Sequence, residues 1–308
     1  MSKTLTAQRL VSAEVIECPA CRKGVQAVSY VYQDNGQDYP VYDCPDCSFM
    51  FIRPLPIQEL NERQMDSLGD AELFGSDLMK FLHRTLYINK EIRTIKKLTG
   101  GDVSLLDVGC GTGWISSLWK KAGFRVVGLE PSAVRGAYAN ETYGIEVIND
   151  YVENISLPDH FDVAILRHVI EHFQDPITVM EKVRFSLNAD GLALVVVPNI
   201  DCIGRYLFGT DWEWVLPWHC NFFNEKSLQS MLETAGFEVL SIYQTASPLY
   251  YSDSLARKIN LQFFSQMIDR IRVPVMLASS PMAMLGLILG LGDNLTAVAR
   301  VVNQSESP

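Results

Sequence analysis

Four cysteines stand in two pairs, Cys18-Pro-Ala-Cys21 and Cys44-Pro-Asp-Cys47, with 22 residues between the pairs. Two tight turns that each offer two thiolates match the demands of a tetrahedral zinc site. The stretch between them alternates around Asn35-Gly36, a strong two-residue hairpin signal. Two knuckles on a hairpin read as a zinc ribbon, placed here over residues 1–56. With all four ligand positions taken by cysteine no coordination site stays open, so Zn2+ would be structural and would hold together residues that lack a core of their own. A redox or vestigial pair is the other reading of the same residues.

The second constellation is Leu105-Leu106-Asp107-Val108-Gly109-Cys110-Gly111-Thr112-Gly113, followed by WISSLWKKAG. An apolar strand ending in glycines before a helix lets the backbone approach a ligand at the helix N-terminus. A dinucleotide fingerprint requires G-x-G-x-x-G, and here the third glycine falls one place early. Asp107 at the strand end would repel a pyrophosphate and suits a ligand with a cationic amine, as S-adenosylmethionine has. The next strand, RVVGLE, ends at Glu130, 17 residues beyond Gly113, where a carboxylate can accept both ribose hydroxyls. The third strand ends near Asp150-Tyr151, a carboxylate beside a flat ring that could read adenine.

On these residues the chain resembles the class I S-adenosylmethionine-dependent methyltransferases. LDVGCGTG is similar to the family's cofactor loop, GLEPS to its acidic second-strand end, and FDVAILRHVIEHFQDP to its fourth-strand motif. GLALVVVPN and LQSMLETAGFEV are similar to the fifth strand and the helix and strand after it, so the likeness runs from about Val103 to Val301. With the cysteine knuckles in front, the chain resembles the bacterial enzymes of this family that act on sugars and other small metabolites. The resemblance implies an α/β, doubly wound, Rossmann-like sheet of seven strands with an antiparallel last strand.

Ligands of such sheets bind at the C-terminal strand ends. After the fourth strand stand Arg167, His168, Glu171 and His172; after the fifth stand Pro198 and Asn199. Arg167 and His168 are expected toward the cofactor, and His168, His172 and His219 are the candidate catalytic residues, with His219 the preferred general base. Each histidine has a structural alternative: to shape a loop, cap a helix, or tie a lid to the domain. The segment 199–223 is too long and aromatic for a mere connection, so Asn199, Tyr206, Trp212, Trp214 and Trp218 are expected to line an acceptor pocket or lid.

Elements must position these groups. Residues 57–100 form a helical linker, with apolar residues at helical spacing from Leu78 to Ile95. Residues 101–253 hold the strand–helix alternation of the core. Residues 254–292 begin basic and amphipathic, with Arg257, Lys258, Arg270 and Arg272 against Asp269, and continue into an uncharged run divided by Pro281. This insertion reads equally as a basic helix with an apolar hairpin resting on anionic lipid, or as helices buried against the domain or a second copy. Residues 293–308 return as the last strand and a tail.

The formal net charge of -10 moves the expectation from nucleic acid to small molecules. The N-terminus lacks the apolar run of a secretory signal, and seven cysteines without one read as thiols, so a cytoplasmic setting is expected, at most peripheral to a membrane. The sequence reading is therefore methyl transfer to oxygen or carbon of a sugar, a lipid-linked saccharide or another metabolite. An RNA methyltransferase clamping with its ribbon is one alternative, although the stretch between Cys18 and Cys47 carries Arg22 and Lys23 against Asp34, Asp38, Asp43 and Asp46. A non-catalytic cofactor-binding partner is the other.

Overall fold

The computed structural model describes residues 10–34, 37–54, 77–100, 102–154, 161–215, 219–258 and 265–302. Alternating residues of the cysteine segment form β1 (Leu10–Glu17), β2 (Gly24–Asp34), β3 (Gln37–Asp43) and β4 (Met50–Ile52), paired antiparallel in sequence order. Asp34 pairs with Gln37, so the ladder closes around Asn35-Gly36, which lies outside the described residues. Two further ladder rungs come from far along the chain: β10 (Asn221–Phe222) pairs with β4, Asn221 opposite Phe51.

The described part of the linker is one helical run. Helix α1 (Asp77–His83) passes through a π turn, Arg84–Ile88, into α2 (Asn89–Thr99). Residues 57–76 of the expected linker lie outside the described range.

Strands β5 (Ser104–Val108), β6 (Arg125–Leu129), β7 (Glu146–Ile148), β8 (Phe161–Arg167) and β9 (Leu187–Pro198) run parallel. With β11 (Phe237–Thr245) and β12 (Asn294–Val301) the sheet order is β11-β12-β9-β8-β5-β6-β7. The last strand is antiparallel to both neighbours, as expected.

Period two divides the side chains between two cores. Leu106, Ala164, Leu166, Ala193 and Val195 face one; Leu105, Val163, Ile165, Leu194 and Val196 face the other. Strands buried on both faces are the mark of a parallel sheet between helical layers. Those helices are α3 (Trp114–Lys121), α4 (Ala133–Tyr143), α5 (Pro176–Ser186) and α7 (Glu225–Thr234), with a short α6 (Ile203–Phe208) after β9. The first core also contains Cys18, Val25, Cys44 and Phe49, so the cysteine sheet shares its apolar interior with the large one.

In the insertion, α8 (Pro248–Lys258) is followed by α9 (Ser265–Ile288), which continues through Pro274 and Pro281. This corrects the expected hairpin: Pro281 does not divide the run, and helix continues on both sides of it. Among the described residues no helix is long and apolar enough to cross a membrane.

Candidate functional site

Strand β5 has parallel neighbours on both sides, β6 and then β7 outward on one, β8 and β9 on the other. The direction of winding reverses between β5 and β8, the place beyond the strand C-termini where ligands of such sheets bind. The glycine turn lies there. Gly109, Gly111 and Gly113 hold φ of 74°, 55° and 76°, a region that L side chains rarely adopt. A Cβ on Gly109 would lie 2.4 Å from Val169 Cγ2, and one on Gly113 would lie 2.6 Å from Ala139 Cβ. The turn is thus closed against its neighbours and presents only backbone.

Its carboxylates are buried. Asp107 accepts a 2.6 Å bond from the Ser116 hydroxyl, and burial pushes its carboxyl up to about 6. Glu130 accepts from the Gly111 N–H with one oxygen and from the Ser132 N–H with the other, each at 3.0 Å. Asp150 bonds to the Tyr151 N–H at 2.7 Å, and Tyr151 is 45% exposed at the rim. Asn149, one place earlier, ties the third strand end to the Glu130 carbonyl at 3.1 Å.

Arg167 turns to a partner that sequence reasoning missed. Its guanidinium pairs with Glu91 of α2, and both side chains are nearly inaccessible. Burial opposes the Arg167 charge, but Glu91 outweighs it and raises its pKa. Glu91 was legible as an anomaly: it stands between Ile88 and Ile95 on the apolar stripe of the linker, a carboxylate where a core residue belongs.

The histidines gather after β8 and β9. His168, directly after β8, holds φ of 52°, and its ring stacks on Trp214. Trp214 in turn lies 5.7 Å from His219 with planes 14° apart, and His172 meets His219 edge-on at 4.7 Å. His219 Nδ1 lies 2.9 Å from the Trp214 carbonyl. A carbonyl can only accept, so Nδ1 carries the proton and Nε2 presents its lone pair. Burial, then His172, pushes His219 down to about 3. Beneath them Glu171 is buried, with His168 Nδ1 3.5 Å from Oε1. Burial works to raise its carboxyl, yet the surrounding histidines hold it below the ordinary range.

A cavity beside this cluster is lined by Pro198, Asn199, Trp212, Trp214, His219 and Asn221, among others. Asn199, expected in the pocket, does line it, but its side-chain amide bonds to the Gly292 and Asp201 carbonyls. Trp212 is buried and Trp214 reaches the histidines, whereas Tyr206 is 68% exposed on α6 and is not among the lining residues. Trp218 lies outside the described residues. Asn221, which sequence reasoning missed, is 2% exposed.

The cysteines converge in pairs, Cys18 Sγ 3.7 Å from Cys47 Sγ and Cys21 Sγ 3.6 Å from Cys44 Sγ. All four sulfurs lie within 4.8 Å of one another. Tetrahedral zinc with bonds of about 2.3 Å separates its sulfurs by about 3.8 Å, so the spacing fits. Hydrogen bonding between Cys18 and Cys47 pushes the first thiol up and the second down to about 6. The two knuckles repeat one backbone pattern, in which Arg22 N–H bonds to Cys18 O and Ser48 N–H to Cys44 O.

The geometry agrees with what comparison with known proteins finds. A family model described as a methyltransferase domain matches residues 71–242. A probable S-adenosylmethionine-dependent methyltransferase of Mycolicibacterium smegmatis is 31% identical over 150 residues, 48% of this chain and 56% of that protein. A ubiquinone biosynthesis O-methyltransferase of Rhodopseudomonas palustris is 28% identical over 171 residues, 54% of this chain and 62% of that protein. The chain thus matches little more than half the length of these relatives. Among solved structures, a Burkholderia thailandensis 1,6-didemethyltoxoflavin-N1-methyltransferase with bound S-adenosylhomocysteine superposes with a TM-score of 0.51 at 16% identity, covering 88% of this chain and 98% of that one. With the family match extending over more than half of the chain, on a sheet of the expected order, this protein belongs to the methyltransferase-domain family.

Proposed function

We propose that this chain transfers the methyl group of S-adenosylmethionine to an oxygen of a small, hydroxyl-bearing acceptor. The observation that carries the reading is that the glycine turn with Glu130 and the His168–Trp214–His219 stack follow neighbouring strands, β5 and β8, with Gly109 packed against Val169, the residue after His168. The buried residues fit the cofactor: the Asp107 carboxylate would hold its cationic amine, Gly111 offers bare backbone, and the Glu130 carboxylate would hold its ribose hydroxyls. When bound, the sulfonium supplies an electrophilic methyl carbon.

The protein then has to align the acceptor, exclude water and receive a proton. Trp212 and Trp214 offer flat apolar faces for the carbon skeleton of the acceptor. Its hydroxyl is directed at the cluster of His172, His219 and Glu171, where the proton is received and the Glu171 carboxylate balances the charge. Several relatives are named as O-methyltransferases, which favours oxygen over carbon. A sugar or lipid-linked saccharide is the proposed acceptor class. The four thiols hold a structural Zn2+ in this reading, supported by their tetrahedral spacing.

Peripheral contact with a membrane is favoured by one face of the insertion. Leu277, Met284, Leu285, Ile288 and Leu289 of α9 and the turn after it are each more than 40% exposed. Such a patch would bring a lipid-borne acceptor to the site. Flotation with anionic liposomes, with and without residues 254–292, tests it. The function itself is tested by turnover of methyl-labelled cofactor against sugar nucleotides, isoprenoid-linked saccharides and RNA; label moving to RNA alone would overturn the reading.

A further inference from the structure

The cluster beside the acceptor pocket is rich in electron pairs and poor in donors. The ligand atoms of Glu171, His172 and His219 all lie within 4.8 Å of one another. The Glu171 side chain is 1% exposed and, among the described residues, neither oxygen accepts a hydrogen bond; its one near neighbour is His168 Nδ1, 3.5 Å from Oε1. The Oδ1 atom of Asn221, which lines the same pocket as His219, is also buried without a donor. The His219 ring adds a third lone pair, because its Nδ1–H is spent on the Trp214 carbonyl. Fixing a ligand imidazole through its other nitrogen is the usual outer-shell arrangement of a metal-bound histidine. A buried carboxylate with bare oxygens is costly unless a cation or donors meet it.

We propose that Glu171, His172 and His219 form a second metal site, for a divalent first-row cation, distinct from the four thiols. Two imidazoles and a carboxylate suit Zn2+, Co2+, Mn2+ or Fe2+. At bond lengths of about 2.1 Å the ligand atoms would stand about 3.4 Å apart, so small side-chain rotations close the site. Three protein ligands leave positions open, and these face the pocket, where an acceptor oxygen would be the remaining ligand. The inference rests on the reading of this cluster as the acceptor end; it replaces simple imidazole bases by a cation that binds and orients the hydroxyl.

The test is cobalt titration of the full purified chain after mild chelation. Two equivalents are expected: one with intense thiolate-to-cobalt absorption, one with only the weak visible bands of nitrogen and oxygen ligands. Glu171→Gln and His219→Ala should weaken the second by more than 10-fold and leave the thiolate band unchanged, which also reports that the variants are folded. A wild-type chain that binds only the thiolate equivalent at saturating Co2+ overturns the proposal. Two equivalents without turnover of any hydroxylated acceptor would instead overturn the functional reading and leave the site standing.

Discussion

The imidazole of His168 lies flat on the indole of Trp214, ring centroids 4.6 Å apart and planes 4° from parallel. The contact joins the end of β8 to the segment after β9, so one side of the site holds the other in place. His168 adopts a left-handed backbone that a non-glycine residue enters at a cost of about 1 kcal/mol, and strain of this kind clusters at functional sites. Trp214→Ala should remove the platform and raise the acceptor KM by about 2- to 12-fold, from stacking of about 0.5–1.5 kcal/mol. Trp214→Phe should restore most of it. Cofactor affinity by calorimetry should be the same in all three; a change there would place Trp214 at the other end of the site.

Glu130 clamps two backbone N–H groups of the cofactor side. Charged hydrogen bonds of this sort are each worth about 1.5–3 kcal/mol, so Glu130→Ala is expected to weaken S-adenosylhomocysteine binding at least 10-fold. Gly111→Arg, at a φ of 55°, should do the same. Calorimetry on variants with unchanged circular dichroism measures both. Affinity equal to wild type in the two variants would remove the assignment of this turn.

The Glu91–Arg167 pair predicts an asymmetry. Breaking it with Glu91→Gln leaves a buried guanidinium unpaired and should lower unfolding free energy by about 3–5 kcal/mol. Replacing both, Glu91→Leu with Arg167→Met, should recover most of that loss. Denaturant midpoints for the two variants decide it, and a double variant as weak as the single one would mean that the charges are needed by the fold itself.

Asp293 gives a pH dependence. It is 0% exposed, accepts from the Ser247 N–H and the Tyr251 hydroxyl, and burial raises its carboxyl to about 7. The folded state therefore binds this proton more tightly than the unfolded one. The contribution is fully present below the unfolded pKa near 4 and is lost as pH rises through 7. Asp293→Asn removes the charge: its oxygen can accept from the Ser247 N–H while its amide NH2 donates to the Tyr251 oxygen. The stability gap in favour of the variant should widen by a few kcal/mol between pH 5 and pH 8, at about 1.4 kcal/mol per pKa unit. Parallel thermal melts at the two pH values would show a constant gap if this account is wrong.

Removing the proposed zinc should not unfold the ribbon alone. Strand β10 belongs to the cysteine sheet, and Cys18, Cys44 and Phe49 share a core with Leu106 and Leu166. Strong chelation, or Cys44→Ser, is expected to lower the melting temperature of the whole chain in one transition. Two separate calorimetric transitions would count against it.

The glycine turn and the placing of Glu130 beside it were legible because these residues are local. The glycine turn needs positive φ at three places within five residues, and Glu130 follows one strand later, so spacing alone exposes both. Glu171, His168 and His172 could be named from a strand end and His219 from the aromatic segment 199–223, but their mutual stacking depends on how that segment folds back, which no period encodes. Arg167 was read toward the cofactor since its strand points there; its partner, Glu91, comes from the linker, and pairing over that sequence distance leaves no local trace. The prolines of α9 misled for a related reason. Propensity argues for a break, but the helix packs against α8, and tertiary contact overrides a local cost.

The place of β12 has a consequence for how this chain comes into being. It sits between β9 and β11, both of which precede it. During synthesis these two strands leave the ribosome with facing edges unsatisfied, and they stay so until Asn294–Val301 is made. Unpaired edges are templates for foreign strands. A nascent or truncated chain lacking those eight residues should therefore attract chaperones or aggregate, whatever the quality of the site it has already built.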